Sequence, residues 1–272
     1  MTKDSGEKFG KFAESVSAGI KDGFPGDLAA CFVVIWTLLS RIPLPESWWP
    51  EKMPKGDRAL ALAPLAGGLL GMTGGIAAVI VSFAGGRSQV SAWAAAAVYF
   101  LAGWSLHLDG WGDLWDGIGS GRRGEALREI MKDSRLGSFG GASLVLAFGL
   151  WTSLLASTAP HLRFSACVVS AASARFAEDC AAFYGRYPWE EGMAKGWVDE
   201  FSSCDLFVSA LCLLPFSVLS PLRAALCAAL GGVTGISLAF FMNRRLGGVN
   251  GDVLGASAVA AEIASLAVWA LW

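Results

Sequence analysis

The chain has 272 residues, of which 54% are hydrophobic and 16% charged, with a formal net charge of −2. Soluble domains carry about 25% charged residues, so this composition, with its 34 glycines and 12 tryptophans, argues against a soluble globular domain and for a polytopic membrane protein. In such a protein small residues let helices approach and tryptophan gathers at the interfaces. The near-balance of charge and the lack of a basic run give no footing for nucleic acid, and six cysteines without a C-x-x-C pair read as buried thiols, not as a zinc or redox site.

Residues 1–27 are polar, carry Lys3, Lys8, Lys11 and Lys21, and read as an N-terminal extension with no signal-peptide pattern. Residues 28–272 read as a single membrane-embedded domain. Its first apolar run, 28–40, is short for a bilayer span. Further runs follow at 61–83, 90–108, 140–159, 162–184, 205–220, 222–242 and 253–272, most of them near the ~20 residues that a crossing helix needs. The pattern predicts an all-α, polytopic membrane helix bundle of about seven transmembrane helices, give or take one according to whether 28–40 crosses. Long polar connections (41–60, 109–139, 185–204 and 243–252) alternate with short ones near 85–89, 160–161 and 220–221. The long set holds 13 Lys and Arg residues and the short set three, so the positive-inside rule puts the long loops on the cytoplasmic face.

The distinctive polar motifs fall in or beside those long loops. Residues 107–117 read H-L-D-G-W-G-D-L-W-D-G. On a helix, Asp109, Asp113 and Asp116 share one face, and three like charges in a row need a counter-charge. Mg²⁺ is the natural one, because hard cations take carboxylate oxygens and hold substrate phosphates at their remaining positions. His107 serves either as a base or metal ligand or as an interfacial hydrogen-bonding residue. Residues 129–141, E-I-M-K-D-S-R-L-G-S-F-G-G, offer Lys132 and Arg135 to phosphate oxygens, with Asp133 either binding metal or orienting Arg135. Residues 244–255, R-R-L-G-G-V-N-G-D-V-L-G, combine a glycine turn at Gly247 and Gly248 with Asp252, which either caps the last helix or joins the metal or nucleotide site. Arg41 is a topology anchor or a phosphate ligand. Arg175 lies inside an apolar run, where a charge costs at least ~2.5–3.5 kcal/mol. Its anionic partner is either Glu178 and Asp179 or a substrate phosphate, and Glu262 faces the same choice. The set points to phosphoryl transfer; the lack of a G-x-x-x-x-G-K-[S/T] loop disfavours a Walker-type ATPase.

Several of these motifs, taken in order, resemble the cobalamin synthase (adenosylcobinamide-GDP ribazoletransferase) family. They are S-R-I-P-L-P at 40–45, P-L-A-G-G-L-L-G at 64–71, H-L-D-G-x-x-D-x-x-D-G at 107–117, E-I-M-K-D-S-R-L-G at 129–137 and L-G-G-x-x-G-D-x-L-G-A at 246–256. The family usually has alanine where Gly112 stands, a small residue at Trp115, threonine at Asn250 and glutamate at Val259. The resemblance implies a multi-pass enzyme of the bacterial inner membrane, dependent on Mg²⁺, with its catalytic loops facing the cytoplasm. It would join adenosylcobinamide-GDP to α-ribazole or its 5′-phosphate and release GMP. On that footing Asp109, Asp113 and Asp116 hold Mg²⁺, and Asp116 or His107 is the base. Lys132, Arg135 and either Arg41 or Arg175 offset developing charge, while Asp133, Gly248, Asn250 and Asp252 complete the substrate-binding set. A homo-oligomer, or a complex with other cobalamin-biosynthesis enzymes, stays open. Two rivals remain. One is a CDP-alcohol phosphotransferase of lipid synthesis, although Trp111-Gly112-Asp113 stands where that family has Ala-Arg after its first glycine. The other is a transporter with Arg175, Asp179 and Glu262 as a midplane ion site.

Overall fold

In the computed structural model, which describes residues 28–51, 54–103 and 105–272, every regular element is helical. The expected N-terminal extension, residues 1–27, lies outside the described residues. Helix α1 (Leu28–Leu39), a 3₁₀ turn (Glu46–Trp48) and the short α2 (Gly56–Leu60) lead into α3 (Ala63–Phe83). Then come α4 (Ser88–Ala102), α5 (Leu106–Gly119), α6 (Glu125–Met131), α7 (Ser138–Ser157) and α8 (Arg163–Tyr184). Short helices α9 (Lys195–Asp199), α10 (Ser203–Leu211) and α11 (Leu214–Ser217) precede the long pair α12 (Pro221–Arg245) and α13 (Gly251–Leu271). Pro64 in the first turn of α3 and Pro221 at the start of α12 occupy positions whose missing N–H would have had no helical partner.

Among the described residues four helices, α3, α7, α12 and α13, are long and apolar enough to cross a membrane. Their outward side chains, among them Phe83, Val145, Leu146, Leu222 and Val233, are exposed, as befits a surface that faces lipid. The run predicted at 90–108 is not one helix. It stops at Ala102 and restarts at Leu106, with Ser105 in the left-handed region at φ 57°. The run at 205–220 likewise divides into α10 and α11.

Helix α8 is the axis of the bundle. It packs against α3, α12 and α13 and is buried along nearly its whole length. The contacts are close because small residues face it: a Cβ on Gly71 of α3 would lie 2.5 Å from the carbonyl oxygen of Cys167, and one on Gly231 of α12 would lie 2.6 Å from that of Ser173. In lipid this kind of backbone approach, and not hydrophobic burial, drives helix association. Arg175 and Glu178 of α8 meet charged partners within the protein. Arg175 lies between Glu178 (3.3 Å) and Glu262 (3.9 Å), and Glu262 also accepts hydrogen bonds from the Tyr99 hydroxyl and the Trp151 indole N–H, each 3.1 Å. Asp179, expected beside Arg175, instead accepts from the Ser209 hydroxyl of α10, so of the two expected helical partners only Glu178 meets the arginine.

Candidate active site at the crossing of α5 and α13

Helix α5 runs unbroken through Gly110, Gly112 and Gly117, so Asp109, Asp113 and Asp116 lie along one side of it as their spacing requires. The helix crosses the first turns of α13, with Gly110 against the backbone of Asp252 and Gly255 against that of His107. Asp109 is exposed, while Asp113 and Asp116 are half-buried. Burial, and after it the nearby charges of Asp252, Asp109 and Asp116, push the Asp113 carboxyl up to about 7. Four carboxylates therefore press on one place, which is the condition a cation relieves.

Each flanking element has a definite task. Asn250 caps α13: its Oδ1 accepts from the Val253 N–H (3.1 Å), and its Nδ2 donates to Asp252 (2.8 Å). Asp252 thus sits in the first turn and is not itself the cap. Asp116 reaches across to α7, where its two oxygens accept the backbone N–H groups of Gly137 and Gly140, both at 2.7 Å. A carboxylate suits this helix start, where free N–H groups and the helix dipole favour negative charge.

Beside the crossing lies a cavity of about 310 Å³. His107, Asp109, Lys132, Asn250 and Asp252 line it, as do Arg128, Glu178, Tyr187, Trp189 and Trp197. Nε2 of His107 lies 2.8 Å from Oε1 of Glu178. The Arg128 guanidinium stands 4.2 Å from the centre of the Trp189 ring, and the Lys132 ammonium 5.9 Å from it. The remaining expected residues stand off this wall. Arg135 and Asp133 bind each other (Nη2 to Oδ2, 2.6 Å), which holds Asp133 down to about 2. Arg41 is exposed, and its backbone N–H donates to the Ala102 carbonyl where α4 ends. Arg175 is not part of the wall; it pairs with Glu178, which is, and with Glu262, which is not. Gly248 is pressed against the Arg186 carbonyl and Pro188.

Sequence reasoning overlooked Arg128, Tyr187, Trp189 and Trp197, and read Glu178 only as a partner for Arg175. A signal existed for Arg128, which stands four residues before Lys132 and so on the same helical face. The aromatic residues of 185–204 had none, since that loop has no periodicity. Among the described residues no three His, Cys, Asp or Glu side chains converge on a closed metal cage. The donor set is nevertheless all oxygen, and Mg²⁺ is usually held by one or two carboxylates plus substrate phosphates. Asp109 and Asp113, with Asp252 close by, fit that pattern.

The four long loops meet around this site. The Gly124 N–H donates to the Arg245 carbonyl, the Val249 N–H to that of Arg186, and Lys55 approaches Glu200 at 3.8 Å. Residues 31–270 match the family model described as cobalamin-5-phosphate synthase. Curated relatives carry the name adenosylcobinamide-GDP ribazoletransferase. That of Rhizobium johnstonii is 32% identical, covering 84% of this chain and 91% of the relative. That of Bradyrhizobium diazoefficiens is 34% identical, covering 79% and 85%, and that of Citrobacter koseri 30% identical, covering 87% and 97%. No solved structure matches. Helical spans, an acidic helix beside basic loops and a match over nearly the whole length agree, and the chain belongs to the cobalamin-5-phosphate synthase family.

Proposed function

We propose that this chain catalyses Mg²⁺-dependent phosphoryl transfer, joining adenosylcobinamide-GDP to α-ribazole or its 5′-phosphate and releasing GMP, at the cytoplasmic face of a bacterial inner membrane. The observation that carries this reading is the crowding of carboxylates on Asp113, whose carboxyl is raised to about 7 by burial and by Asp252, Asp109 and Asp116. It occurs beside a cavity that also presents Lys132 and Arg128. Asp109 and Asp113, with Asp252 adjacent, would hold Mg²⁺, which would supply charge neutralisation on the diphosphate.

The chain's own groups do the rest. The ribazole hydroxyl attacks the phosphorus nearest cobinamide, a new P–O bond forms, and the bond to GMP breaks. Lys132 and Arg128 offset negative charge on the departing phosphate. His107, held through Nε2 by Glu178, takes the hydroxyl proton at its other ring nitrogen. Asp116, with each oxygen already accepting a backbone N–H, serves better as the anchor that ties α5 to α7. Arg175 acts through Glu178. Arg41 and the Arg135–Asp133 pair stand outside the cavity wall, where they can meet only the part of the substrate that stays outside.

The test is GMP formation by the purified protein from adenosylcobinamide-GDP, α-ribazole and Mg²⁺, with CDP-diacylglycerol and a diacylglycerol-type acceptor offered in parallel. GMP that appears only with the cobinamide substrate is the expected result. CMP release from the lipid nucleotide, or substrate flux into sealed vesicles without GMP, would replace this reading with the phosphotransferase or the transporter.

A further inference from the structure

The wall of the 310 Å³ cavity divides by chemistry. Polar groups come from α5, the end of α6, Glu178 of α8 and the start of α13. The opposite portion is aromatic and aliphatic, with Trp189, Trp197 and Tyr187 beside Ile35, Leu38 and Leu60. The rings are seated before any ligand arrives. Tyr187 and Trp189 meet edge to face with centroids 5.5 Å apart. Arg128 stacks over Trp189 and is itself held by Glu125 at 2.9 Å. Trp197 lies so close over α2 that a Cβ on Gly56 would come within 2.5 Å of its indole.

Resting on the phosphoryl-transfer reading above, we propose that this aromatic portion of the cavity is the seat of the acceptor's base: an apolar, bicyclic heteroaromatic ring carried on a ribose whose hydroxyls turn toward Asp109, Asn250 and Asp252. Size supports this first. Pockets enclosing drug-sized molecules run from about 300 to 1,000 Å³, so 310 Å³ suits one nucleoside and excludes a corrin macrocycle carrying a nucleotide. Chemistry supports it second. A guanine ring has donors and acceptors along its edge that lose hydrogen bonds against Ile35, Leu38 and Leu60, and a buried polar edge without partners is strongly disfavoured. A benzimidazole-type ring has little to lose there and gains ring stacking on Trp189 and Trp197, which every aromatic base can exploit. The donor's diphosphate then meets Lys132 and the acidic helix from outside, with the large cobinamide portion beyond the cavity mouth.

The experiment uses the full chain in lipid nanodiscs, with each substrate varied while the other is saturating. Trp197→Leu should raise KM for α-ribazole by about tenfold or more, leave KM for adenosylcobinamide-GDP unchanged and change kcat by less than about threefold; Trp189→Leu should raise KM for α-ribazole likewise and lower kcat besides, because Arg128 rests on that ring. Trp189→Phe and Trp197→Phe should recover most of the loss, which separates stacking from folding. A rise confined to KM for adenosylcobinamide-GDP, or no rise in either, overturns the proposal while leaving the catalytic reading intact. Calorimetric titration of α-ribazole alone tests the seat independently of turnover. Binding that is lost in Trp189→Leu and is not displaced by GMP supports the seat even if no GMP is ever formed, a result that would sink only the catalytic reading. Displacement by GMP, or no binding to the unsubstituted protein, overturns the seat.

Discussion

A methyl group on Gly110 would sit 2.8 Å from the Cα of Asp252 and 2.9 Å from its carbonyl oxygen. Helices α5 and α13 therefore touch backbone to backbone where their carboxylates meet, and any side chain at 110 must prise them apart. Gly110→Ala should cost about 1–3 kcal/mol of stability by overpacking. It should also lower GMP formation by about 100-fold, since displacement on the order of 1 Å at a positioned site carries that penalty. Initial rates of GMP release, set beside the thermal midpoint in detergent, check both halves.

Asp113 makes the metal-free protein sensitive to pH. Its folded carboxyl titrates near 7 against an ordinary value of 3.8, so the fold binds the proton more tightly than the unfolded chain does. Stability should then fall as pH rises from about 4 through 7. Thermal melts of metal-free protein between pH 5 and 8 should show this decline, and Asp113→Asn should flatten it. On the metal reading proposed above, Mg²⁺ displaces that proton, and the Mg²⁺ concentration for half-maximal rate should be about tenfold higher at pH 6 than at pH 8. Asp113→Asn should also nearly abolish GMP release with expression unchanged.

Asp116 predicts a different phenotype from its neighbours. Losing a side-chain cap at a helix start costs about 0.5–2 kcal/mol. Asp116→Ala frees two backbone N–H groups at the start of α7 and should lower the melting temperature as well as the rate. Asp109→Ala removes an exposed carboxylate with no such bonds and should lower the rate alone. Parallel melts and rate measurements distinguish the two, and equal stability of the two variants would contradict the anchoring role.

The buried trio Arg175, Glu178 and Glu262 should tolerate truncation poorly. Removing one partner of a buried pair leaves an uncompensated charge and costs about 3–5 kcal/mol. Arg175→Met should therefore accumulate poorly in membranes, while Glu178→Gln, which keeps an oxygen toward His107, should fold and lose rate. Membrane yield and GMP release from the two variants make the comparison.

What could be seen in the residues, and what could not, divides along a physical line. The apolar runs and the face shared by Asp109, Asp113 and Asp116 depend on spacing within one helix, and spacing is written in the chain. The partner of Asp116 lies 21 and 24 residues away on another helix, and that of Tyr99 lies 163 residues away, so neither leaves a periodic trace. Arg175 could be recognised as needing an anion, yet Asp179, four residues on, was no less plausible than Glu262, and only the packing of α10 turns Asp179 toward Ser209. The break inside 90–108 escaped notice because its apolar character continues through Leu101, Leu106 and Leu108, while the interruption is a backbone angle at Ser105. The aromatic wall of the cavity comes from a loop whose shape is set by contacts with α2 and α6.

The joint between Ala102 and Leu106 also determines how the protein tolerates a change of length. Adding or deleting one residue there would rotate α5 by about 100° and turn all three aspartates away from α13 together, although none of them had been altered. The turn between α3 and α4 at 84–87 stands at the opposite end of α4 and orients nothing in the site. Insertions should therefore be silent at one end of α4 and ruinous at the other.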